Sequence, residues 1–193
     1  MKASNLHSTM LFSHEFVESA GVVLFDLTTH RICLLEVKGN GEFVLPKGRR
    51  NIGESRREAA LREAREETGY SCRILSVNMT TRTPPTDESA ADSDEARHFE
   101  NIEEPFALTQ RQLGERNLKL IWWFIAAINK PDESETTYSG EPKFQVTLLP
   151  YEAAVTALTY EVDRMTARKA IKLVQGTYYR DSEKIDKPMY DGI

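Results

Sequence analysis

The stretch "GRRNIGESRREAALREAREETGY" (Gly48–Tyr70) decides how this chain is read. It is dense in arginine and glutamate, and such helices are ordinarily solvated surface. Ser55 followed three residues on by Glu58 is a capping-box pattern, and Gly69 suits the left-handed position that closes a helix. The spacing predicts a helix over about 55–68. At about 100° per residue, with Glu63 at zero, Glu67 falls near +40° and Glu66 near −60°. Ala59 and Ala60 lie on or beside that arc and Ala64 borders it, while Arg57, Glu58 and Arg65 lie opposite. The glutamates therefore share the small apolar face that should meet a sheet. A solvated helix would place them on the other side. Leu61 breaks the pattern, because it projects with the outward charges. Carboxylates converging on a semi-buried face repel one another, and burial raises the cost of ionising them. Arg62 can pair with one of them, and a hard divalent cation suits the remaining oxygens.

Working outward, "AGVVLFDL" (20–27) and "RICLLEV" (31–37) read as strands, and "FVLP" (43–46) as a short third one after the loop "KGNGE". "SCRILSVNM" (71–79) reads as a single strand after the helix. "NLKLIWWFIAAI" (117–128) is apolar enough for a central strand, and "KFQVTLLP" (143–150) is the last. Helical stretches near 151–157 and 163–175 close the chain. Residues 82–116, rich in proline and acid, read as an insertion of low order. The expected organisation is a loosely held segment 1–15, one domain over 16–178 and a tail over 179–193. Strands separated by helices point to a layered α/β domain.

The 193 residues allow one sizeable core. A net charge of −5 argues against general nucleic-acid or membrane binding, but leaves room for a local basic pocket. The longest apolar run, 120–128, is too short to span a bilayer. No targeting segment is visible in the first sixteen residues. Cys33 and Cys72 stand outside any metal or redox motif, which suits a reducing compartment, so a cytoplasmic location is expected.

The stretch fits G-x5-E-x7-R-E-U-x-E-E-x-G-U, with U bulky or apolar. Gly48, Glu54, Arg62, Glu63, Glu66, Glu67 and Gly69 fill the fixed places, and Ala64 and Tyr70 the U places. Chance would give this at roughly one in 10⁸ start sites. This is the Nudix box, and the chain strongly resembles a Nudix hydrolase over about 17–175. The resemblance implies an α/β/α sandwich with a mixed β-sheet, the box forming a loop–helix–loop. It also implies hydrolysis of a phosphoanhydride with Mg²⁺ or Mn²⁺, held by Glu63, Glu66, Glu67 and the carbonyl of Gly48. Glu66 or Glu67 is the expected general base, Arg62 orients a box glutamate, and Glu54 holds the loop. A further acid from a later loop, Glu115 or Glu141, is also implied. Family members that only bind a ligand typically lose box glutamates, and every fixed residue is present here.

The box identifies the reaction and not the substrate. Lys47, Arg49, Arg50, Arg56 and Arg57 crowd its entrance in an otherwise acidic chain, and Lys38, Arg116 and Lys119 can join them. Arg57 reads equally well as ordinary surface charge. Clustered Lys and Arg suit a polyanionic small molecule. The layout and the "LPKGR" lead-in resemble the branch that cleaves diphosphoinositol and diadenosine polyphosphates. "TRTPPT", "NIEEPF" and "LKLIWWF" are similar to fungal Nudix proteins, some of which are secreted and act inside a host. An alternative nucleotide, NADH or nucleotide-sugar substrate would call on an aromatic clamp from Trp122, Trp123, Tyr138, Phe99 or Phe106. His98 is read as a solvated loop residue.

Overall fold

The computed structural model describes residues 8–85, 95–115, 117–129 and 140–179. Its strands are β1 (Phe16–Asp26), β2 (Arg31–Val37), β3 (Phe43–Val44), β4 (Lys47–Arg49), β5 (Cys72–Ile74), β6 (Val77–Thr81), β7 (Arg97–Ile102), β8 (Ala107–Leu113), β9 (Asn117–Ile128) and β10 (Phe144–Pro150). The helices are α1 (Arg56–Thr68), α2 (Tyr151–Ala157) and α3 (Glu161–Tyr178).

The main sheet runs β10-β2-β1-β9-β5, with β3 on β2, β4 on β1 and β8 on β9. It is mixed. β1 and β9 run parallel from Phe16↔Leu118 to Phe25↔Ala127, and the other pairs are antiparallel. The two central strands are apolar on both sides because both sides are covered. Ala20, Val22 and Leu24 meet Ala59, Ala60 and Ala64 of α1 on one face. Val23, Phe25, Ile121 and the fully buried Trp123 meet α2 and α3 on the other. This is the expected α/β/α sandwich. Leu61 finds its contact at the margin of the α1 layer, half-buried.

Three readings change. "SCRILSVNM" is two strands: β5 joins β9, then the chain leaves the main sheet and β6 pairs with β7 in a separate ribbon. Lys47–Arg49 is itself a strand, in register with Ser19–Gly21 of β1. The stretch 82–116 contributes β7 and β8, although 86–94 and Arg116 lie outside the described residues. β8 is an edge strand whose Gln110 and Gln112 face solvent, so it lacks the apolar alternation that announces a strand. Of the N-terminal segment, Phe12–Glu15 is tied by a turn, and the Glu15 carbonyl accepts the Leu118 N–H at 2.9 Å. Residues 180–193 are outside the described residues, and no described helix is long and apolar enough to cross a membrane.

Candidate active site

α1 begins and ends as its sequence dictates. Ser55 Oγ accepts the Glu58 N–H at 3.2 Å, and the Glu58 carboxylate accepts the Ser55 N–H at 2.8 Å. Gly69 closes the helix at φ 77°, its N–H donating to the Arg65 carbonyl at 2.8 Å. This fixes the rotation of the helix. Ala59, Ala60 and Ala64 are fully buried, and Glu67 comes with them at 5% exposure.

Glu67 points under the loop that precedes α1, and its Oε2 accepts the Lys47 N–H at 2.8 Å. Burial pushes its carboxyl up to about 7, against the opposing pull of that N–H and the Lys47 charge. Glu63, one turn earlier, lies against Gly48. An ideal Cβ on Gly48 would sit 1.9 Å from the Glu63 carboxyl carbon. Glycine is required there by the close approach of the carboxylate. Glu66 sits at the edge of the arc, its side chain half exposed.

Arg62 binds this set together. Its Nε and Nη2 donate to the two Glu54 oxygens at 2.7 and 3.0 Å, Nη1 donates to Glu63 at 2.8 Å and Glu66 at 2.9 Å, and Nη2 also reaches the Arg49 carbonyl at 2.9 Å. All five guanidinium donors are engaged. Hydrogen bonding from Arg62 holds Glu54 below the usual carboxylate range. Arg62 thus supports the carboxylates, and Glu54 steadies the loop, also accepting the Asn51 N–H at 2.9 Å.

The expected cradle divides in two. Arg50 and Arg56 are tied to Glu18. Arg50 Nε meets Glu18 at 3.0 Å, and Arg56 meets the other Glu18 oxygen at 2.7 Å while stacking 3.9 Å over the Trp122 ring. Trp122 Nε1 donates to the same carboxylate at 3.1 Å. Burial raises the Glu18 carboxyl, but these bonds and charges outweigh it and hold it low. Glu18, unmarked in the sequence, neutralises two cations that lie 32 and 38 residues downstream of it. Arg57 pairs with Glu103 at 2.6 Å, and Lys38 Nζ donates to the Pro142 carbonyl at 2.8 Å. Arg116 lies outside the described residues.

Lys47, Arg49 and Lys119 remain together. Arg111 joins them from β8, directly opposite Lys119 in the ladder. None of the four makes an ion pair with a described residue. Lys119 is half-buried; that burial and the charges of Lys47, Arg111 and Arg49 pull its amine below the ordinary lysine range. A like-charged cross-strand pair is unfavourable by itself. Sequence reading missed Arg111 because β8 carried no strand signal.

The two downstream acids separate clearly. Glu115 is exposed in a groove with Thr9, Met10 and Gln112. Glu141 docks on the box helix, its N–H donating to the Glu66 carbonyl at 3.0 Å, and its carboxylate pairs with Lys143 at 2.5 Å. Among the aromatics, Trp123 is buried with Nε1 on Thr109, Phe106 packs on the core, and Tyr138 lies outside the described residues. His98 is exposed.

Fold and site together define an α/β/α protein whose acidic box helix is tied down by one fully engaged arginine. The NUDIX domain profile matches residues 15–124, and the chain belongs to the Nudix family. No curated protein sequence matches it. An Ap4A hydrolase from C. elegans superposes with a TM-score of 0.54 at 19% identity, covering 83% of this chain and 98% of that one. A NUDIX-family hydrolase from Clostridium perfringens gives 0.53 at 18%, covering 84% and 99%. A MutT protein from Bacillus halodurans gives 0.52 at 15%, covering 80% and 82%. At these identities the likeness is one of fold.

Nudix hydrolases generally use a divalent cation such as Mg²⁺ or Mn²⁺. Among the described residues, no three His, Cys, Asp or Glu side chains converge tightly enough to enclose an ion, and Arg62 holds Glu66 to the outside. The donor set nevertheless fits Mg²⁺. Glu63 and Glu67 are hard oxygen ligands one turn apart, and Gly48 leaves the space a Cβ would fill. Mg²⁺ is commonly held by one or two carboxylates and completed by water and substrate phosphates.

Proposed function

We propose that this chain is a metal-dependent pyrophosphohydrolase of a highly phosphorylated small molecule, with inositol pyrophosphates (diphosphoinositol polyphosphates) as the preferred class. The observation that carries the reading is the cluster Lys47, Arg49, Arg111 and Lys119, four cations outside the ion pairs of the described residues, with Glu63 within electrostatic reach of Lys119. A substrate with a single diphosphate needs few such contacts, whereas a polyphosphorylated ring can engage all four.

Glu63, Glu66, Glu67 and the Gly48 carbonyl are the proposed metal ligands. Bound Mg²⁺ or Mn²⁺ supplies charge neutralisation at the phosphoanhydride and acidifies water. The protein's own residues do the rest. Arg62 keeps Glu63 and Glu66 from drifting, the Lys47 N–H orients Glu67, and Glu66 or Glu67 takes the proton of the attacking water. Glu141 is preferred over Glu115 as the additional acid because its backbone is fastened to α1. We place the enzyme in the cytoplasm, in keeping with free Cys33 and Cys72. Secretion toward a host cell is the alternative location.

The nucleotide reading loses its best aromatics. Trp123 is inside the core, and one face of Trp122 is covered by Arg56. The deciding experiment compares phosphate release from a diphosphoinositol polyphosphate, a diadenosine polyphosphate, NADH and ADP-ribose with Mg²⁺, using Glu66→Gln as control. Preference for the inositol compound supports the reading. Preference for a nucleotide replaces it, and wild-type binding without turnover of any compound makes the chain a binding module.

A further inference from the structure

We infer that Glu18 of β1 is a positioning residue for the metal-binding carboxylates. It clasps both ends of the loop that carries Glu54, and so fixes where Arg62 can stand. The inference rests on the reading of Glu63 and Glu66 as metal ligands.

The loop 51–55 follows β4 and Arg50, and it enters α1 at Arg56. One carboxylate holds both of these arginines. Glu18 Oε2 accepts Arg50 Nε at 3.0 Å, and Oε1 accepts Arg56 Nε and Nη2 at 2.9 and 2.7 Å and Trp122 Nε1 at 3.1 Å. The backbone repeats the grip, because the Arg50 N–H donates to the Glu18 carbonyl at 3.0 Å. The oxygen of that same peptide unit, the Arg49 carbonyl, accepts Arg62 Nη2 at 2.9 Å. A second route runs through side chains. Arg50 Nη1 donates to the Glu54 carbonyl at 2.8 Å, and the Glu54 carboxylate receives Arg62 Nε and Nη2 at 2.7 and 3.0 Å. The remaining nitrogen of Arg62 meets Glu63 at 2.8 Å and Glu66 at 2.9 Å. Glu18 is therefore joined to both proposed ligands by an unbroken series of charge-assisted bonds.

Little else ties this loop to the sheet. Ile52, its large apolar residue, is fully exposed, and a recess of about 360 Å³ opens between Glu18, Arg50, Glu54, Ser55 and Arg56. The bonds of Glu54 to Asn51 and of Glu58 to Ser55 lie within the loop and its own helix, and move with them. The Glu18 end is fixed, since β1 is paired with β9 from Phe16 to Phe25. Without the carboxylate, Arg50 and Arg56 remain hydrated, because their side chains are 31% and 46% exposed. Partly exposed pairs of this kind contribute little to stability, so the fold should survive while the loop loses its clasp.

The test is the Mn²⁺ affinity of the full chain without substrate, read from loss of the free-ion spin resonance signal, alongside thermal melts. Glu18→Ala should weaken Mn²⁺ about tenfold, at the low end of what losing an outer partner of a metal ligand costs. Arg50→Ala should weaken it by a similar factor, although removing a cation near the site would by charge alone tighten the binding. The double variant should bind as the single ones do, because both remove one attachment. Arg57→Ala takes the same charge from α1 but breaks a pair with Glu103, outside the series, and should leave the affinity at wild type. Wild-type affinity in Glu18→Ala or Arg50→Ala overturns the inference, whatever the melting temperature does. So do tighter binding in Arg50→Ala, additive losses in the double variant, or equal weakening in Arg57→Ala. If Glu18→Ala does not fold, Arg50→Ala against Arg57→Ala decides by the same criteria. Glu63→Gln separates the two ideas. If it and wild type bind Mn²⁺ alike, the metal reading fails, and the inference with it. If it weakens binding while Glu18→Ala does not, the positioning role alone fails.

Discussion

Gly48→Ala tests the box geometry with a single methyl group. Gly48 lies in β4 opposite Ala20 and is not among the residues with positive φ, so alanine suits its backbone. Exchanging glycine for alanine at a compatible site stabilises by about 0.4–1 kcal/mol through the unfolded chain. The whole penalty therefore comes from the neighbour. The new Cβ would meet the Glu63 carboxyl carbon at 1.9 Å, against the 3.4 Å at which ordinary contact begins. The carboxylate must retreat by about 1.5 Å, with the tolerance for a metal ligand about 0.2 Å. That movement also breaks its 2.8 Å bond to Arg62. Misplacement by about 1 Å can cost on the order of 10²-fold in rate. Overpacking costs about 1–3 kcal/mol, toward the low end here because the displaced atoms are the end of a side chain, and the backbone gain offsets part of it. We expect turnover to fall about 10²-fold with a small change in melting temperature. Adding Glu63→Ala should recover stability and not activity. Gly48→Ala turning over within a few-fold of wild type would show that the Glu63 position is not part of the reaction.

Other perturbations read the same site from different directions. Glu66→Gln and Glu67→Gln should each cut Mg²⁺-dependent turnover by roughly 10² or more while the fold melts nearly as before, and near-wild-type rates in both would remove the metal assignment. In EDTA, Glu67 has a folded pKa of about 7 against an ordinary 4.5. The folded state therefore holds an extra proton, and the stability it contributes below about pH 4.5 is lost as pH rises through 7. Mg²⁺ should accordingly raise the melting temperature more at pH 8 than at pH 5.5, and an equal rise at both would contradict the burial of this carboxylate. Arg49→Ala with Lys119→Ala should raise KM for polyphosphorylated substrates more than for a simple dinucleotide. Arg50→Ala, whose partner is Glu18, should lower stability without that selectivity; identical behaviour of the two sets would dissolve the cradle.

The box helix was legible because its signals are local. Ser55, Glu58 and Gly69 define its ends, and the wheel places Glu67 among the alanines, all within one element. Strands 31–37 and 117–128 were legible from continuous apolar character. What stayed hidden depended on partners far along the chain. β4 is three residues, Lys-Gly-Arg, with no strand composition, and exists because β1 offers an edge. β8 exists because β9 offers the other, and its polar face hides it. The pairing of Arg50 and Arg56 follows from Glu18, and the burial of Asp163 follows from where α3 lands, neither of which has a pattern in sequence.

The distribution of charge explains how an acidic chain can present a local group of cations. Most arginines around the box are neutralised within the protein: Arg62 by three glutamates, Arg50 and Arg56 by Glu18, Arg57 by Glu103. These pairs brace the loop and helix and contribute little to the outward field. Lys47, Arg49, Arg111 and Lys119 are left, on β4, β8 and β9, with β1 between β4 and β9. Holding Arg111 opposite Lys119 works against folding, so an anion that bridges them is bound with that repulsion relieved. A net charge of −5 is then no obstacle to a polyanionic ligand, because the local field is set by the few cations outside the described ion pairs.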